Sequence, residues 1–472
     1  MRDQVRKIHF VGIKGVGVAP LAIIAKQAGF EVTGSDIDQE FITDETLKKE
    51  NIIPLSGFDP ERVEGKDLII TTGAHGGFDN PENKRARELN IPILTQGEAV
   101  GAFMDGSIFD KELEGVSVAG SHGKTTTTAM IATILLENNY DPSFVVGTGY
   151  IPSLGSSGHY GKGKFFIAEA DEYATEPKHN KTPKLLWQYP KIGVITNIEY
   201  DHPDIYPSMD SLRKAFLDFS ENIDENGLLV VCKDDSETST LIDKFKRRTV
   251  TYGFSKTSDY YIERVSIEQD KMFFWINAKE TSLGEFSVGV TGEHNALNAL
   301  CAIVVCIELG LSIEKIKKGL AKFTGTKRRF EFIGQLSSGA LFYDDYAHHP
   351  TEIKKTLAAF KKTFPNKKIV CIFQPHTFSR TKSLFEQFVS SFGDSSELIL
   401  TDIYPSLREE PDLSVSSKLL VDNITKTHKN VEYIPSIQDV VEYLGQKSFG
   451  KDYVIITMGA GDVYKIYEEL VK

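Results

Sequence analysis

The feature that most restricts what this chain can fold into is a junction. An apolar, strand-like run, Gly115-Val116-Ser117-Val118-Ala119, breaks into Gly120-Ser121-His122-Gly123-Lys124-Thr125, and a threonine-rich helical run starting at Thr126 follows at once. Strand, glycine turn and helix in that order fit the βα unit of an open parallel sheet, with the turn at the strand's carboxyl end. In such a turn, glycines let successive backbone N–H groups converge on one anion. The lysine adds a charge, and the next hydroxyl can ligate a cation. The helix behind it turns its N-terminal dipole toward the same point. Residues 120–126 therefore read as a phosphate loop. The spacing departs from G-x-x-x-x-G-K, whose first glycine falls on Val118.

The same alternation runs through the chain. KIHFVGI, EVTGSD, DLIITTGA and IPIL are strand candidates before residue 106, and APLAIIAKQA is a helix closed by Gly29. KFFIAEADE, KIGVITNIEYDH and GLLVVCKDD follow the phosphate loop, residues 250–290 alternate as antiparallel strands do, and a helix spans roughly 293–309. From about 326, ALFYDDY, KKIVCIF, ELILTDIY and DYVIITMGAG are strands separated by helical runs. A chain of 472 residues exceeds a single core, and the pattern divides it into three α/β units, 1–105, 106–325 and 326–472. The net charge of −12 argues against nucleic acid as a partner. Cys232, Cys301, Cys306 and Cys371 lack metal-ligand spacing and read as reduced core thiols. With no long apolar stretch, the expectation is a cytoplasmic protein without membrane insertion.

Several strand ends carry chemistry. Glu169, Asp171 and Glu172 end one strand of the middle unit, and Asp201 and His202 follow another. One carboxylate, a threonine hydroxyl and phosphate oxygens suffice for Mg²⁺, although solvated strand ends share this pattern. Near the N-terminus, Gly12-Ile13-Lys14-Gly15-Val16-Gly17 sits between a strand and a helix. Its G-x-x-G-x-G spacing is not that of an NAD site, and a dehydrogenase has no use for the Lys124 loop. Gly12, Gly15 and Gly17 nevertheless permit close approach of a diphosphate.

In order along the chain, AGSHGKTTTT, AEADE, TNIEYDH, GEHNALNALCA, GTKRRFE, DDYAHHPTE, QPHTFSRT and TMGAGD resemble the motifs of the Mur ligases. The resemblance implies an α/β fold of three domains: an N-terminal Rossmann-like domain for a UDP-sugar, a central P-loop ATPase-like domain with a mainly parallel sheet, and a C-terminal Rossmann-like domain for an amino acid. It implies ATP-dependent ligation of L-alanine to the carboxylate of UDP-N-acetylmuramate through an acyl phosphate, in peptidoglycan precursor synthesis. Lys124 would steady the transferred phosphoryl group, Thr125 and Glu169 would hold Mg²⁺, and His202 a second Mg²⁺. Asn295 would read adenine, with Arg329 and Asp345 contacting ATP; Asn298 is equally a packing amide. Asp36 would meet the ribose of the UDP-sugar, with Thr72 and His75 at a later strand end. Lys14 stands where the family has glycine, stiffening the turn or adding a charge.

Tyr346, His348 and Arg380 would form the amino-acid site, because a guanidinium can grip a carboxylate with two bonds. His349 and His376 are supporting or structural. The segment after AEADE departs from the alanine-adding branch, and its tyrosine resembles family members that ligate murein tripeptide in cell-wall recycling. That segment reads either as an acceptor-specificity element or as a solvated loop. A regulator stripped of chemistry would have lost Lys124, Glu169 or His202, and all three are present.

Overall fold

In a computed structural model, residues 5–268, 271–405, 409 and 411–471 are described. Three sheets organise the chain. The first is entirely parallel, in the spatial order Leu55–Ser56, Glu31–Asp36, Lys7–Val11, Leu68–Thr71, Ile93–Thr95. Its strand Lys7–Val11 is buried on both faces beyond Lys7, so it reads as an unbroken apolar run, as parallel strands covered by helices do. Helix Ala19–Gln27 buries every residue from Ala19 to Ala25, carries Pro20 in its first turn, and is followed by Gly29 at a φ of 93°. The order reverses at Lys7–Val11. That puts the Gly12–Gly17 turn and the Thr72–His75 loop on either side of a topological switch point, where ligands of doubly wound sheets bind.

The second sheet has ten strands, and its parallel centre holds the phosphate strand Glu114–Ala119 between Phe165–Ala170 and Ile192–Ile195. Leu228–Cys232 and Arg248–Gly253 extend it in parallel, and Tyr260–Glu268, Lys271–Ala278 and Thr281–Val288 finish it as the expected antiparallel meander. The segment after Glu172 is no solvated loop. Ala174–Glu176 and Asn180–Pro183 pair as an antiparallel hairpin with Ala174, Thr175 and Glu176 buried. Trp187 Nε1 donates to the Thr175 hydroxyl at 2.7 Å, which donates in turn to the Thr182 carbonyl at 2.7 Å. The hairpin also lies against the first sheet's loops, since a Cβ on Gly73 would stand 3.0 Å from the Pro177 ring.

The third sheet runs Glu331–Gln335, Leu341–Asp345, Tyr453–Met458, Lys368–Phe373, Glu397–Leu400, Val431–Tyr433, parallel except for the first pair. Two compact units result. One comprises Met1–Tyr200, Ile205–Gly289 and Asn295–Thr326 and contains the first two sheets. The other comprises Asp201–Asp204, Val290–His294 and Lys327–Lys472. The four cysteines are buried and unpaired, and burial pushes the Cys232 thiol up to about 11. Among the described residues, no helix is long and apolar enough to cross a membrane.

Candidate active site

The phosphate loop is built from both sides. Gly123 adopts a φ of 82°, and a Cβ there would lie 2.4 Å from Asn298 Oδ1, so conformation and space both require glycine. The loop is fastened to the neighbouring strand end. His122 N donates to Asn197 Oδ1 at 2.9 Å, Ser121 N to the Asn197 carbonyl at 3.1 Å, and the Ser121 hydroxyl to the Glu199 carbonyl at 2.9 Å. His122 Nε2 reaches Glu199 Oε2 at 2.9 Å. The Ser121 and His122 side chains thus shape the loop. Thr126 lies buried in the first turn of helix Lys124–Glu137.

Three acidic residues at the adjoining strand end have separate partners. Glu172 accepts from Lys124 Nζ at 2.6 Å, Asp171 from Lys184 Nζ at 2.9 Å, and Glu169 from the Thr125 hydroxyl at 3.0 Å and from Gly147 N at 2.6 Å. Burial works against the charge on Lys124, but Glu172, Asp171 and Glu169 outweigh it and raise its pKa above the ordinary lysine value. Lys124 also donates to the Gly120 carbonyl, so its ammonium is held over the loop it serves. Thr125 Oγ1 and Glu169 Oε2 form an all-oxygen pair at the mouth of the helix, the donor chemistry that magnesium prefers. Asn298 donates to Asn295 Oδ1 at 3.2 Å and borders Gly123, which joins the two amides to the loop.

At the first sheet's switch point, Gly12 adopts a φ of 75°, and a Cβ on it would meet the Thr72 methyl at 2.4 Å. A Cβ on Gly17 would lie 3.3 Å from the Gln96 amide, and Gly15 N donates to the Gly12 carbonyl at 3.2 Å. The Thr72 hydroxyl accepts from Ala74 N at 3.2 Å. Asp36 is bound up in the same turn. Its carboxylate is buried and accepts from Lys14 N at 2.7 Å and Ile37 N at 2.8 Å, with His75 Nε2 at 3.4 Å. It fastens the glycine turn, and burial raises its pKa.

The second unit gathers the remaining candidates. Tyr346 and His348 follow strand Leu341–Asp345, while His376 and Arg380 follow Lys368–Phe373. These strands are not neighbours, because Tyr453–Met458 lies between them. His348 Nδ1 lies 2.9 Å from the Tyr346 carbonyl and 3.4 Å from Glu352 Oε2; both are acceptors, so Nδ1 carries the proton and Nε2 is left as an acceptor. Burial lowers its pKa to about 4, which keeps the ring neutral. The Asp345 carboxylate accepts from Phe330 N at 2.7 Å and Ala347 N at 2.8 Å, yet burial pushes it up to about 6.

Arg380 Nε and Nη2 donate to the two oxygens of Asp201 at 2.9 and 3.2 Å, and Nη1 donates to the His376 carbonyl at 2.9 Å. His202 belongs to this same unit, at a φ of 60° with Nε2 3.7 Å from Asp201 Oδ2. His349 caps helix Pro350–Thr363 through a bond from Thr351 N, a structural duty. Of the adjacent arginines, Arg328 is locked to Asp344 at 2.9 Å and to the Gly459 and Gly461 carbonyls. Arg329 reaches Glu352 at 3.7 Å and lies over the Tyr346 ring.

Tyr404, stacked on His376 at 5.8 Å, and Glu352 escaped the sequence reading. Glu352 sits three residues past the cap in a capping-box pattern, which was the available signal. Tyr404 lies four residues past strand Glu397–Leu400, bridged to His376, without a motif of its own.

Comparisons with known proteins cover nearly the whole chain. The pattern described as "Mur ligase family, catalytic domain" matches residues 7–107, "Mur ligase middle domain" matches 118–306, and "Mur ligase, glutamate ligase domain" matches 328–461. The UDP-N-acetylmuramate–L-alanine ligase of Desulfitobacterium hafniense is 40% identical over 98% of this chain and 99% of its own. That of Caldanaerobacter subterraneus subsp. tengcongensis is 39% identical, covering 100% of this chain and 98% of the relative. The crystal structure of the UDP-N-acetylmuramate–alanine ligase from Thermotoga maritima superposes with a TM-score of 0.80 at 29% identity, over 98% of each chain. A murein peptide ligase from Psychrobacter arcticus shares the fold, with a TM-score of 0.72 at 22% identity over 98% of each chain.

Proposed function

Because the chain belongs to the Mur ligase family, we propose that it joins L-alanine to the carboxylate of UDP-N-acetylmuramate, with ATP as the energy source and an acyl phosphate between the two steps. The observation that carries this reading is the end-to-end agreement with ligases bearing that name. Residues 1–105 take the UDP-sugar, 106–325 take ATP and 326–472 take the amino acid. Dependence on ATP sets the enzyme in the cytoplasm.

The residues divide the work. Lys124 exchanges Glu172 and the Gly120 carbonyl for phosphate oxygens, bringing a fixed positive charge to the phosphoryl group as it moves to the muramoyl carboxylate. Thr125 and Glu169 would hold magnesium by their oxygens, and His202 would hold a second ion. Magnesium, when bound, supplies charge neutralisation around the transferred group. Asn295 reads the adenine edge, and Arg329 and Asp345 contact ATP.

Arg380 is held by Asp201 through Nε and Nη2 and meets the carboxylate of the amino acid with an N–H that Asp201 does not take, and Tyr346 walls the site. The lone pair on His348 Nε2 accepts a hydrogen bond from the amine that attacks the acyl phosphate. Positioning of the amine against the activated carbonyl contributes the rest of the rate.

The test is phosphate release from ATP with UDP-N-acetylmuramate present and L-alanine, L-serine, glycine or murein tripeptide added singly. Turnover with L-alanine is expected. Turnover with the tripeptide alone would replace this reading with a recycling ligase.

A further inference from the structure

Lys14 is a charged residue set inside a turn otherwise made of glycine and small apolar residues. Its backbone is tied at both ends, N–H to Asp36 at 2.7 Å and carbonyl to the Thr43 hydroxyl. Its side chain folds back over the next segment. Nζ donates to the Gln39 carbonyl at 2.7 Å, lies 3.5 Å from Asp44 Oδ1 and stands 5.6 Å above the Phe41 ring. The stretch from 36 to 45 carries Asp36, Asp38, Glu40, Asp44 and Glu45 and no lysine or arginine. An anion docking at the switch point would meet this acidic stretch, and Lys14 is the cation that the turn places against it.

We propose that Lys14 is a further substrate-binding residue of this chain, whose ammonium offsets the acidic 36–45 stretch and meets the diphosphate of the bound UDP-sugar. The assignment rests on the nucleotide-sugar reading of the first domain. The arm has room here, with its ammonium over the Phe41 ring and beside Asp44. A four-carbon arm held by one carbonyl and one half-buried carboxylate can shift to a stronger, doubly charged partner without unfolding the turn, which Asp36 and Thr43 hold by the backbone.

Calorimetric titration of uridine, UMP and UDP into wild type, Lys14→Met and Lys14→Arg separates charge from shape. The expected result is a loss of about tenfold in UDP affinity in Lys14→Met, the scale of one charge-assisted contact. Uridine affinity should be unchanged, and Lys14→Arg should stay close to wild type. Thermal melts check that each variant is folded. An equal fall for uridine and UDP would reduce Lys14 to a loop fastener and overturn the proposal, as would unchanged UDP binding in Lys14→Met. If wild type itself binds neither UDP nor uridine, the nucleotide-sugar reading fails first and this assignment falls with it.

Discussion

The carboxylate of Asp201 grips Arg380 through two parallel bonds, at 2.9 Å to Nε and 3.2 Å to Nη2, with both side chains almost wholly buried. Arg380 holds Asp201 well below the usual carboxylate range even though burial works the other way. Two buried charges of this kind are costly to separate. Asp201→Asn should lower stability by about 3–5 kcal/mol, because it leaves a buried guanidinium without its counter-charge. The double variant Asp201→Asn/Arg380→Met should regain part of that loss. Urea midpoints of the three proteins check both statements, and an Asp201→Asn protein as stable as wild type would sink the first.

Lys124 and Glu172 form the corresponding pair in the first unit. Lys124→Ala should cut kcat by roughly 10²–10³-fold, the usual effect of losing one preorganised charge at a transferring group. Glu172→Gln removes the partner but leaves Asp171 and Glu169 to keep the lysine charged. It should shift KM for ATP more than kcat, which steady-state kinetics would resolve.

Glu169 sits against Thr125 and takes its second bond from a backbone N–H. Glu169→Gln can keep that backbone bond while losing charge at the oxygen pair. The Mg²⁺ concentration giving half-maximal rate should rise tenfold or more, since even outer partners of a metal site are worth about 10–100-fold. An unchanged Mg²⁺ requirement would remove Glu169 from the metal site.

Acid should weaken the second unit in a defined window. Burial lowers His294 and His348 to about 4, so the unfolded chain takes up protons that the folded one refuses as pH falls from about 6.5 to 4. Each histidine then removes roughly 3 kcal/mol. Asp345, raised to about 6, works in the opposite sense over part of that range by a similar amount, leaving a net loss of about 3 kcal/mol. His348→Gln should flatten the decline in urea midpoint between pH 7 and pH 4.5; a slope equal to wild type would contradict the assignment.

What could be read without coordinates was local. The strands showed because fully covered parallel strands are continuous apolar runs, and Lys124, Thr125 and Glu169 showed because their motifs occupy contiguous residues. Pairings between distant positions did not. Glu172 stands 48 residues from Lys124, and Asp201 stands 179 from Arg380. Nothing in either stretch announces the other. A strand-end aspartate such as Asp36 looks the same in sequence whether or not it also caps two backbone N–H groups, so those bonds were not legible. Arg328 and Arg329 are chemically identical neighbours, and only the packing of Asp344 and the Gly459 and Gly461 carbonyls decides which is sealed in. The 174–183 hairpin was illegible for a related reason: its lysines describe its exposed rim, while Trp187 and Thr175 fasten it from beneath.

The second compact unit is discontinuous, drawing Asp201–Asp204 and Val290–His294 from within the span of the first. During synthesis these two short peptides leave the ribosome long before residues 327–472 exist to receive them. Asp201 therefore waits, solvated, until Arg380 has been made, and the nascent chain cannot close this unit in order of translation. Its last folding event is set by the arrival of the C-terminal residues, so a chain cut short of them would carry Asp201–Asp204 and Val290–His294 with no unit to join.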